Sequence, residues 1–324
     1  MTPDAPFSDE PYRPPEVPLS ERSVGDQDRP ANHPTYEERV HFLATVYGFD
    51  SGGFEATVRT VDIQAMADAK ARPRGHRKPV AERDERDMVR AVNRARKVVR
   101  HAVKQIACDH LLTLTTREQE NSPESLARQW KSFVRQYRAY AHEDFPYVAI
   151  PERHLSNPKH WHLHVAISGG VKVKIARHIW WNVCGGRGLG NIDVRYIKVG
   201  VHAGSGVPKG PLVRAEKIAR YISKYMTKDL IFNHRPDKKR YWRSEFDMPG
   251  ARRYWLRTRL GSWLEKDDNA THALVDALQE LRARFGGFDL MRCSIFMFPD
   301  GTGFWFSYNP DSSNTEGCAE PAPF

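Results

Sequence analysis

A regular alternation of apolar and polar residues occupies segment 159–169, which is written KHWHLHVAISG. In a β-strand successive side chains point to opposite faces, so one face would be formed by Trp161, Leu163, Val165 and Ile167. The opposite face would carry three imidazoles, those of His160, His162 and His164. Because the apolar face needs a core to pack against, the histidines are expected to face a polar space, where His162 and His164 can share one metal ion.

A second pattern, with a period of about 3.6 residues, predicts a helix from about Pro211 to Lys228. Its buried stripe consists of Leu212, Ala215, Ile218, Ala219, Ile222 and Met226. Tyr221 and Tyr225 are four residues apart and therefore lie together on the flank of this helix. The same side carries the basic residues Arg214, Lys217, Lys224 and Lys228. The pattern indicates a pair of phenols in a positively charged environment.

The apolar positions around these two segments predict alternating helices and strands. The expected elements are a helix Arg83–Ile106, a strand Leu111–Thr116, a helix capped at Asn121 or Ser122, a strand Tyr147–Glu152, a helix Val173–Val183 and a strand Ile192–Val199. If the hairpin between the strand 147–152 and the histidine strand turns near Asn157, Glu152 lies opposite His162. Glu152 is then a candidate third metal ligand, with His160 as the alternative, and a carboxylate beside two imidazoles suits Mg²⁺ or Mn²⁺.

Both ends of the chain give weaker patterns. Residues 1–35 are rich in proline and charge and are expected to be disordered, whereas Tyr36–Tyr47 is expected to form a short helix. Towards the other end, the sequence predicts a helix Ala270–Phe285, a hairpin of Leu290–Phe298 with Phe304–Tyr308, and a loose tail at 309–324.

The formal net charge of +10 favours a nucleic-acid partner, because clustered cations gain affinity by releasing counterions from phosphates. Arg94 and Arg100 lie in the basic helix 83–106, which is either a solvated helix or a DNA-backbone contact, and we favour the second. Trp242 and Arg243 lie in the stretch 238–259, where aromatic and basic residues interleave; such a stretch can stack bases or simply pack.

Several other classes of protein are disfavoured. No apolar run reaches the roughly 18 residues that a membrane span needs, and the first residues lack a signal-peptide pattern, so a cytoplasmic protein is expected. The four cysteines are far apart and favour reduced thiols over a zinc or disulfide framework.

The motif His162-Leu163-His164 resembles the His-hydrophobe-His motif of the HUH endonucleases. The segment from Tyr221 to Lys228 resembles the double-tyrosine motif of their rolling-circle replication initiators, found in plasmids and phages. Residues 111–116 are similar to the first motif of the same proteins, and all three occur in the expected order. The resemblance implies an α+β fold with a mainly antiparallel sheet of about five strands, flanking helices and the site on the face of the sheet.

With this resemblance the expected organisation has five parts. They are a tail (1–35), a helical basic extension (36–107), the HUH nicking domain (108–232), a C-terminal α/β part packing on that domain (233–308) and a second tail (309–324).

The resemblance implies that this chain nicks single-stranded origin DNA. A tyrosine would form a 5′-phosphotyrosine link and leave a 3′-OH primer, while Mg²⁺ or Mn²⁺ on His162, His164 and Glu152 would act as a Lewis acid. Lys224 and Lys228 would favour the phenolate. By the same resemblance Tyr225 acts first and Tyr221 carries the second transfer.

The alternatives are a two-tyrosine transposase, a relaxase, and a non-catalytic DNA-binding protein on this fold. A relaxase usually has its tyrosine before the histidines, and intact histidines and tyrosines argue against the non-catalytic protein. No Walker-type phosphate loop occurs, so a host helicase would supply unwinding and a host polymerase would extend the primer. The sequence leaves the oligomeric state, the origin and the source replicon open.

Overall fold

The computed structural model describes residues 40–71, 79, 82, 84–118, 121–143, 145–154, 156–157, 159–199, 211–232, 240–259, 270–299 and 302–310. For residues 211–212, 225–232, 257–259 and 270–274 it describes the backbone alone. Within these ranges no helix has the length and apolar character that crossing a membrane requires.

The described chain is an α+β structure with two antiparallel sheets. The strands are β1 (Val40–Gly48), β2 (Phe54–Asp62), β3 (His110–Thr116), β4 (Tyr147–Arg153), β5 (Trp161–Ile167), β6 (Gly190–Tyr196), β7 (Trp242–Arg243), β8 (Ala251–Arg259), β9 (Cys293–Met297) and β10 (Gly303–Tyr308). The helices are α1 (Ile63–Ala71), α2 (Glu85–Gln105), α3 (Pro123–Ala141), α4 (Val173–Val183), α5 (Pro211–Phe232) and α6 (Ala270–Arg284).

The sheet that contains the histidine segment has the strand order β6-β3-β5-β4-β7 and is named the histidine sheet. One face packs against α3 and α4 through large buried side chains, among them Trp130, Phe133, Leu163, Val165 and Trp180. Part of the other face is covered by α2 and α5 through Val99, Val103, Ala215, Ile218 and Ile222. The histidine strand is thus buried on its apolar side, as its alternation predicts.

The elements predicted for this sheet are confirmed with small shifts in their ends. Helix α3 begins after Ser122, whose side chain accepts a hydrogen bond from the Ser125 N–H, and it has proline in its first turn. The predicted hairpin register is also confirmed, because Glu152 lies directly opposite His162.

The second sheet has the order β8-β1-β2-β10-β9 and is named the flanking sheet. It joins the segment around residue 50 to the segments around residues 255 and 300, and it packs on α6 through Phe42, Val58, Leu256, Leu281 and Phe306. The expected C-terminal hairpin is therefore present as β9 and β10, but it belongs to this larger sheet rather than standing alone.

The predicted helix Tyr36–Tyr47 is wrong over its described part. Residues from Val40 to Gly48 form β1, with Val40, Phe42, Ala44 and Val46 buried at a period of two. Strand β1 is hydrogen-bonded to β2 on one side and to β8 on the other, so pairing along both edges stabilises the extended form. The N-terminal extension is consequently not purely helical.

Helix α2 lies between the two sheets. Its apolar residues Val99, Ala102 and Val103 belong to the core over the histidine sheet. On another side, Arg100 and His101 bond to the carboxylate of Glu55 on β2, and Lys104 bonds to both Glu55 and Ser307 of the flanking sheet. The helix thus joins the sheets by apolar packing on one side and by buried ionic contacts on the other.

Candidate active site

The exposed part of the histidine-sheet face carries two rows of polar side chains. Register aligns Thr113 of β3 with His164 of β5 and with Asp193 of β6. The next row brings Glu152 opposite His162, and Thr115 opposite Asn191. Further along, the same face carries Leu111, Val148 and Ala166, which α2 and α5 bury. The helices therefore end the apolar core where the polar rows begin.

His164 is held on both ring nitrogens at this boundary, and only 4% of its surface is exposed. Its Nε2 lies 2.7 Å from Oε2 of Glu152, and its Nδ1 lies 3.3 Å from Oγ1 of Thr113. A histidine fixed on one nitrogen by a neighbouring side chain directs the other towards its partner, which is how metal-binding and catalytic imidazoles are oriented. Thr113 and Glu152 therefore fix the ring plane of His164.

His162 is half-buried and faces a group of further imidazoles. The centroid of its ring lies 5.1 Å from the ring centroids of both His154 and His160. Burial lowers the pKa of His162 to about 4, with further lowering by His160, His154 and His164 against a raising effect of Glu152. At neutral pH the imidazole is therefore uncharged and has a lone pair, the form that binds a metal ion.

The expected three-ligand set is only partly assembled. Glu152 and His164 converge on one point, whereas the ring of His162 lies beside His154 and His160. Among the residues that the structure describes, no group of three or more His, Cys, Asp or Glu side chains has an arrangement that could hold a metal ion. An imidazole and a carboxylate with converging donor atoms, next to a neutral imidazole, nevertheless have the chemistry that Mg²⁺ or Mn²⁺ sites use.

The tyrosine helix α5 lies over this site. The ring of Tyr221 is edge-on to that of His164, with centroids 6.3 Å apart and an interplanar angle of 87°, and 42% of the Tyr221 surface is exposed. Lys224 is exposed one turn further on. Tyr225 and Lys228 lie in the helix by their backbone, and their side chains are outside the described residues.

An open cleft of about 450 Å³ adjoins His162 at the end of β3. Its lining consists of Thr115, Thr116, Arg117, Glu118, His154, Asn157, His160 and His162. The cleft and the pair formed by Glu152 and His164 thus share one side chain as a common wall, that of His162.

The basic residues expected to bind DNA have three different environments. Arg94 and Lys217 are exposed, and the Arg214 guanidinium lies 4.9 Å from the ring centroid of Tyr196. Trp242 packs partly against the core beside α3, and Arg243 donates to the carbonyl oxygens of Ser244 and Phe246.

Arg100 requires a correction. It is only 3% exposed and forms an ion pair with Glu55 at 3.0 Å, so it is not available to a DNA backbone. The cationic face of α2 is therefore divided between exposed residues such as Arg94 and residues used inside the protein.

Sequence reasoning did not identify three residues of this site. Thr113 stands out in the sequence only as part of a strand, and His154 and Arg117 lie in the cleft without any motif. The signal for Thr113 is its parity within β3, because residues 111, 113 and 115 must share the face opposite Leu112 and Leu114. No comparable signal exists for residues in the irregular segments.

Residues 109–230 match the model of a family described as Replication-associated protein, of the ORF2 type. The matched range runs from β3 to α5 and contains Glu152, His162, His164 and both tyrosines. The match covers less than half of the chain and is consistent with a rolling-circle replication initiator. No curated protein and no solved structure matches the chain.

Proposed function

We propose that this chain is a rolling-circle replication initiator that nicks and rejoins one strand of origin DNA through tyrosine. One observation carries the proposal: Tyr221 lies against His164, and His164 bonds Glu152, within the range that matches a replication-associated family. A phenol next to an oriented imidazole and a carboxylate provides a nucleophile and the groups that stabilise a reacting phosphate.

The donor set fits a divalent metal ion by chemistry. Glu152 and His164 already converge, and the lowered pKa of His162 keeps its lone pair available at neutral pH. His162, His164 and Glu152 would hold Mg²⁺ or Mn²⁺, which when bound would polarise the scissile phosphate and offset charge on its oxygens. Thr113 would hold the ring of His164 in place for this role.

The direction of α5 indicates how the two tyrosines relate to the sheet. Arg214 contacts Tyr196, in the row of His110 and Ile167, and Tyr221 lies seven residues later beside His164. Seven helical residues advance about 10 Å, which equals roughly three residues of strand. The helix therefore runs along β5 from Ile167 towards His162. One more turn, about 6 Å, brings the backbone of Tyr225 towards His162 and the cleft.

Tyr225 is accordingly the nucleophile proposed for the first cleavage, and Tyr221 for the second transfer. The phenolate oxygen attacks phosphorus, the bond from phosphorus to the 3′ oxygen breaks, and that oxygen takes a proton to become a 3′-OH. The product is a 5′-phosphotyrosine. Because a free phenol has a pKa of about 10, Lys224 and Lys228 are proposed to favour its ionised form.

The remaining partners follow from this chemistry. The 3′-OH would prime a host polymerase, a host helicase would separate the strands, and attack by the second tyrosine would allow the displaced strand to be closed. Exposed cations, including Arg94, Arg214 and Lys217, are proposed to contact the phosphates of the bound strand.

The test is capture of the covalent intermediate. The protein is incubated with Mg²⁺ or Mn²⁺ and a randomised pool of single-stranded oligonucleotides labelled at the 3′ end, and species that remain linked in SDS are sequenced. We expect an adduct with the wild type, its loss in His164→Ala and Tyr225→Phe, and an adduct without closed circles in Tyr221→Phe. Tyr140→Phe is the matched control, because Tyr140 is exposed on α3.

Peptide mass spectrometry then locates the linked tyrosine. An adduct mapped only to Tyr221 would reverse the order of the two tyrosines. DNA that is bound without any adduct, in the presence of either metal ion, would refute the enzyme and leave a DNA-binding protein.

A further inference from the structure

The cleft beside His162 contains three imidazoles in two different hydrogen-bonding states. It is lined by His154, His160 and His162, together with Arg117 and Asn157, and it opens to solvent from the same face as the candidate active site. The ring centroids of His154 and His160 are 6.3 Å apart, so a small planar group in the cleft can contact both.

His154 presents a donor to the cleft. Its Nδ1 lies 3.3 Å from the backbone nitrogen of Asn157, which can only donate, and 2.9 Å from the hydroxyl of Ser156. The Nδ1 of His154 is therefore the unprotonated nitrogen, and the proton of the neutral ring resides on Nε2.

His160 presents the opposite arrangement. Its Nδ1 lies 2.9 Å from the carbonyl oxygen of Glu118, which can only accept. The proton of His160 must therefore be on Nδ1, and the neutral ring keeps a lone pair on Nε2. Two neighbouring imidazoles thus offer one donor and one acceptor, each fixed by a backbone group.

This arrangement matches the edge of an unpaired nucleobase. The edges of bases combine hydrogen-bond donors with acceptors, and proteins read single-stranded nucleic acid through such edges on splayed-out bases. Arg117 in the same lining adds a guanidinium that can bind a phosphate in a planar fashion. The cleft volume of about 450 Å³ lies within the range of small-molecule sites.

We propose that this cleft binds the base next to the scissile phosphate, and that His154 and His160 determine which base is accepted there. The proposal rests on the nicking function proposed above, because His162 is shared by the cleft and the candidate metal site. It assigns His160 to base recognition rather than to metal binding. The nick would then be specific at this one flanking position through two hydrogen bonds.

The experiment sequences the adducts that wild type, His154→Ala and His160→Ala form with the randomised pool. We expect a preference for one base at one position flanking the nick in the wild type. That preference should fall about 10-fold in each variant, as expected for the loss of a base-specific hydrogen-bonding group. His178→Ala is the matched control, since His178 is exposed on α4, the helix on the opposite face of the sheet.

Two further measurements separate the outcomes. Adduct formation is titrated with Mn²⁺; an unchanged metal dependence in His160→Ala supports the proposal, and a requirement for more metal makes His160 a ligand and overturns it. Equilibrium binding of oligonucleotides that differ at the flanking base is measured for all four proteins. A wild type that forms no adduct but still distinguishes these oligonucleotides, with the distinction lost in the variants, would refute nicking and retain the base site. Equal base preference in wild type and variants would refute the base site.

Discussion

Replacement of Glu55 by glutamine removes the only carboxylate that contacts three cationic or imidazole groups of α2 among the described residues. Glu55 is 1% exposed, and its oxygens lie 3.0 Å from Nη2 of Arg100, 3.1 Å from Nε2 of His101 and 2.7 Å from Nζ of Lys104. Glutamine keeps the shape of the side chain and loses its charge. Arg100 and Lys104 would then remain buried with Glu216 as their remaining acidic neighbour.

The expected cost follows from the burial of both cations. Removing one partner of a buried ion pair destabilises a protein by about 3–5 kcal/mol, because the other charge stays desolvated without compensation. A whole domain has about 5–15 kcal/mol of stability. Glu55→Gln should therefore remove a large fraction of the free energy of unfolding and lower the Tm by roughly 5–15 °C.

The effect should also depend on pH. Burial tends to raise the pKa of Glu55, but Arg100, Lys104 and His101 outweigh burial and hold this pKa well below 4.5. The unfolded chain therefore takes up a proton near pH 4.5 while the folded protein does not, and stability falls as pH falls from there through the folded-state pKa. The stabilisation is fully present above the unfolded pKa, and the difference between wild type and Glu55→Gln should narrow as the solution becomes more acidic.

Thermal unfolding at pH 7 and at a series of values below pH 5 measures both effects. Glu143→Gln is a matched control, because Glu143 pairs with Lys172 at 2.9 Å while both side chains are about half exposed; its Tm should stay at the wild-type value. Equal Tm values for Glu55→Gln and wild type at pH 7 would show that the buried network contributes nothing to stability. A difference that stays constant down to acidic pH would show that Glu55 has an ordinary pKa.

Two other substitutions test local features of the fold. Gly303→Ala should destabilise the flanking sheet by about 1–3 kcal/mol, because Gly303 has φ of +157° and an added Cβ would overlap the carbonyl oxygen of Val58; Gly250→Ala, with nothing within 4 Å of its added Cβ, should leave the Tm unchanged. Asn121→Ala should cost about 1–3 kcal/mol, because the Asn121 amide bonds the backbone of Trp161 and the hydroxyl of Thr116. An unaltered denaturant midpoint for Asn121→Ala would indicate that water replaces the amide.

The histidine sheet was predictable because its signals are local. Trp161, Leu163 and Val165 alternate strictly with polar residues, and a short hairpin fixes the register that brings Glu152 opposite His162. Both facts depend on residues less than 20 positions apart. Local patterns of this kind determine which face of a strand is buried without knowledge of the rest of the chain.

The flanking sheet was not predictable in the same way. Val40, Phe42 and Val46 fit a helical stripe as well as a strand face, so periodicity alone cannot decide between them. The partner strand β8 lies about 200 residues away, and its pairing with β1 is what stabilises the extended form. A short apolar segment whose partners are distant in sequence carries no local signal of those partners.

The environment of the basic residues on α2 had a similar cause of error. The amphipathic pattern of residues 85–105 shows that one side is cationic, but it does not show whether that side faces DNA, solvent or a buried carboxylate. Glu55 lies 45 positions before Arg100 and belongs to a strand that the sequence did not reveal. The error in assigning Arg100 to DNA therefore follows directly from the missed strand.

Lys104 connects these observations to the candidate site. Its ammonium group contacts Glu55 of β2, Ser307 of β10 and Glu216 of α5, so one buried cation joins the flanking sheet to the tyrosine helix. Glu216 lies five residues before Tyr221, which is less than two helical turns. The range that matches a replication family contains α5 but neither Lys104 nor the flanking sheet. The orientation of Tyr221 over His164 therefore depends on contacts from outside the matched segment, and the flanking sheet supports the geometry of the site although none of its residues lies in that site.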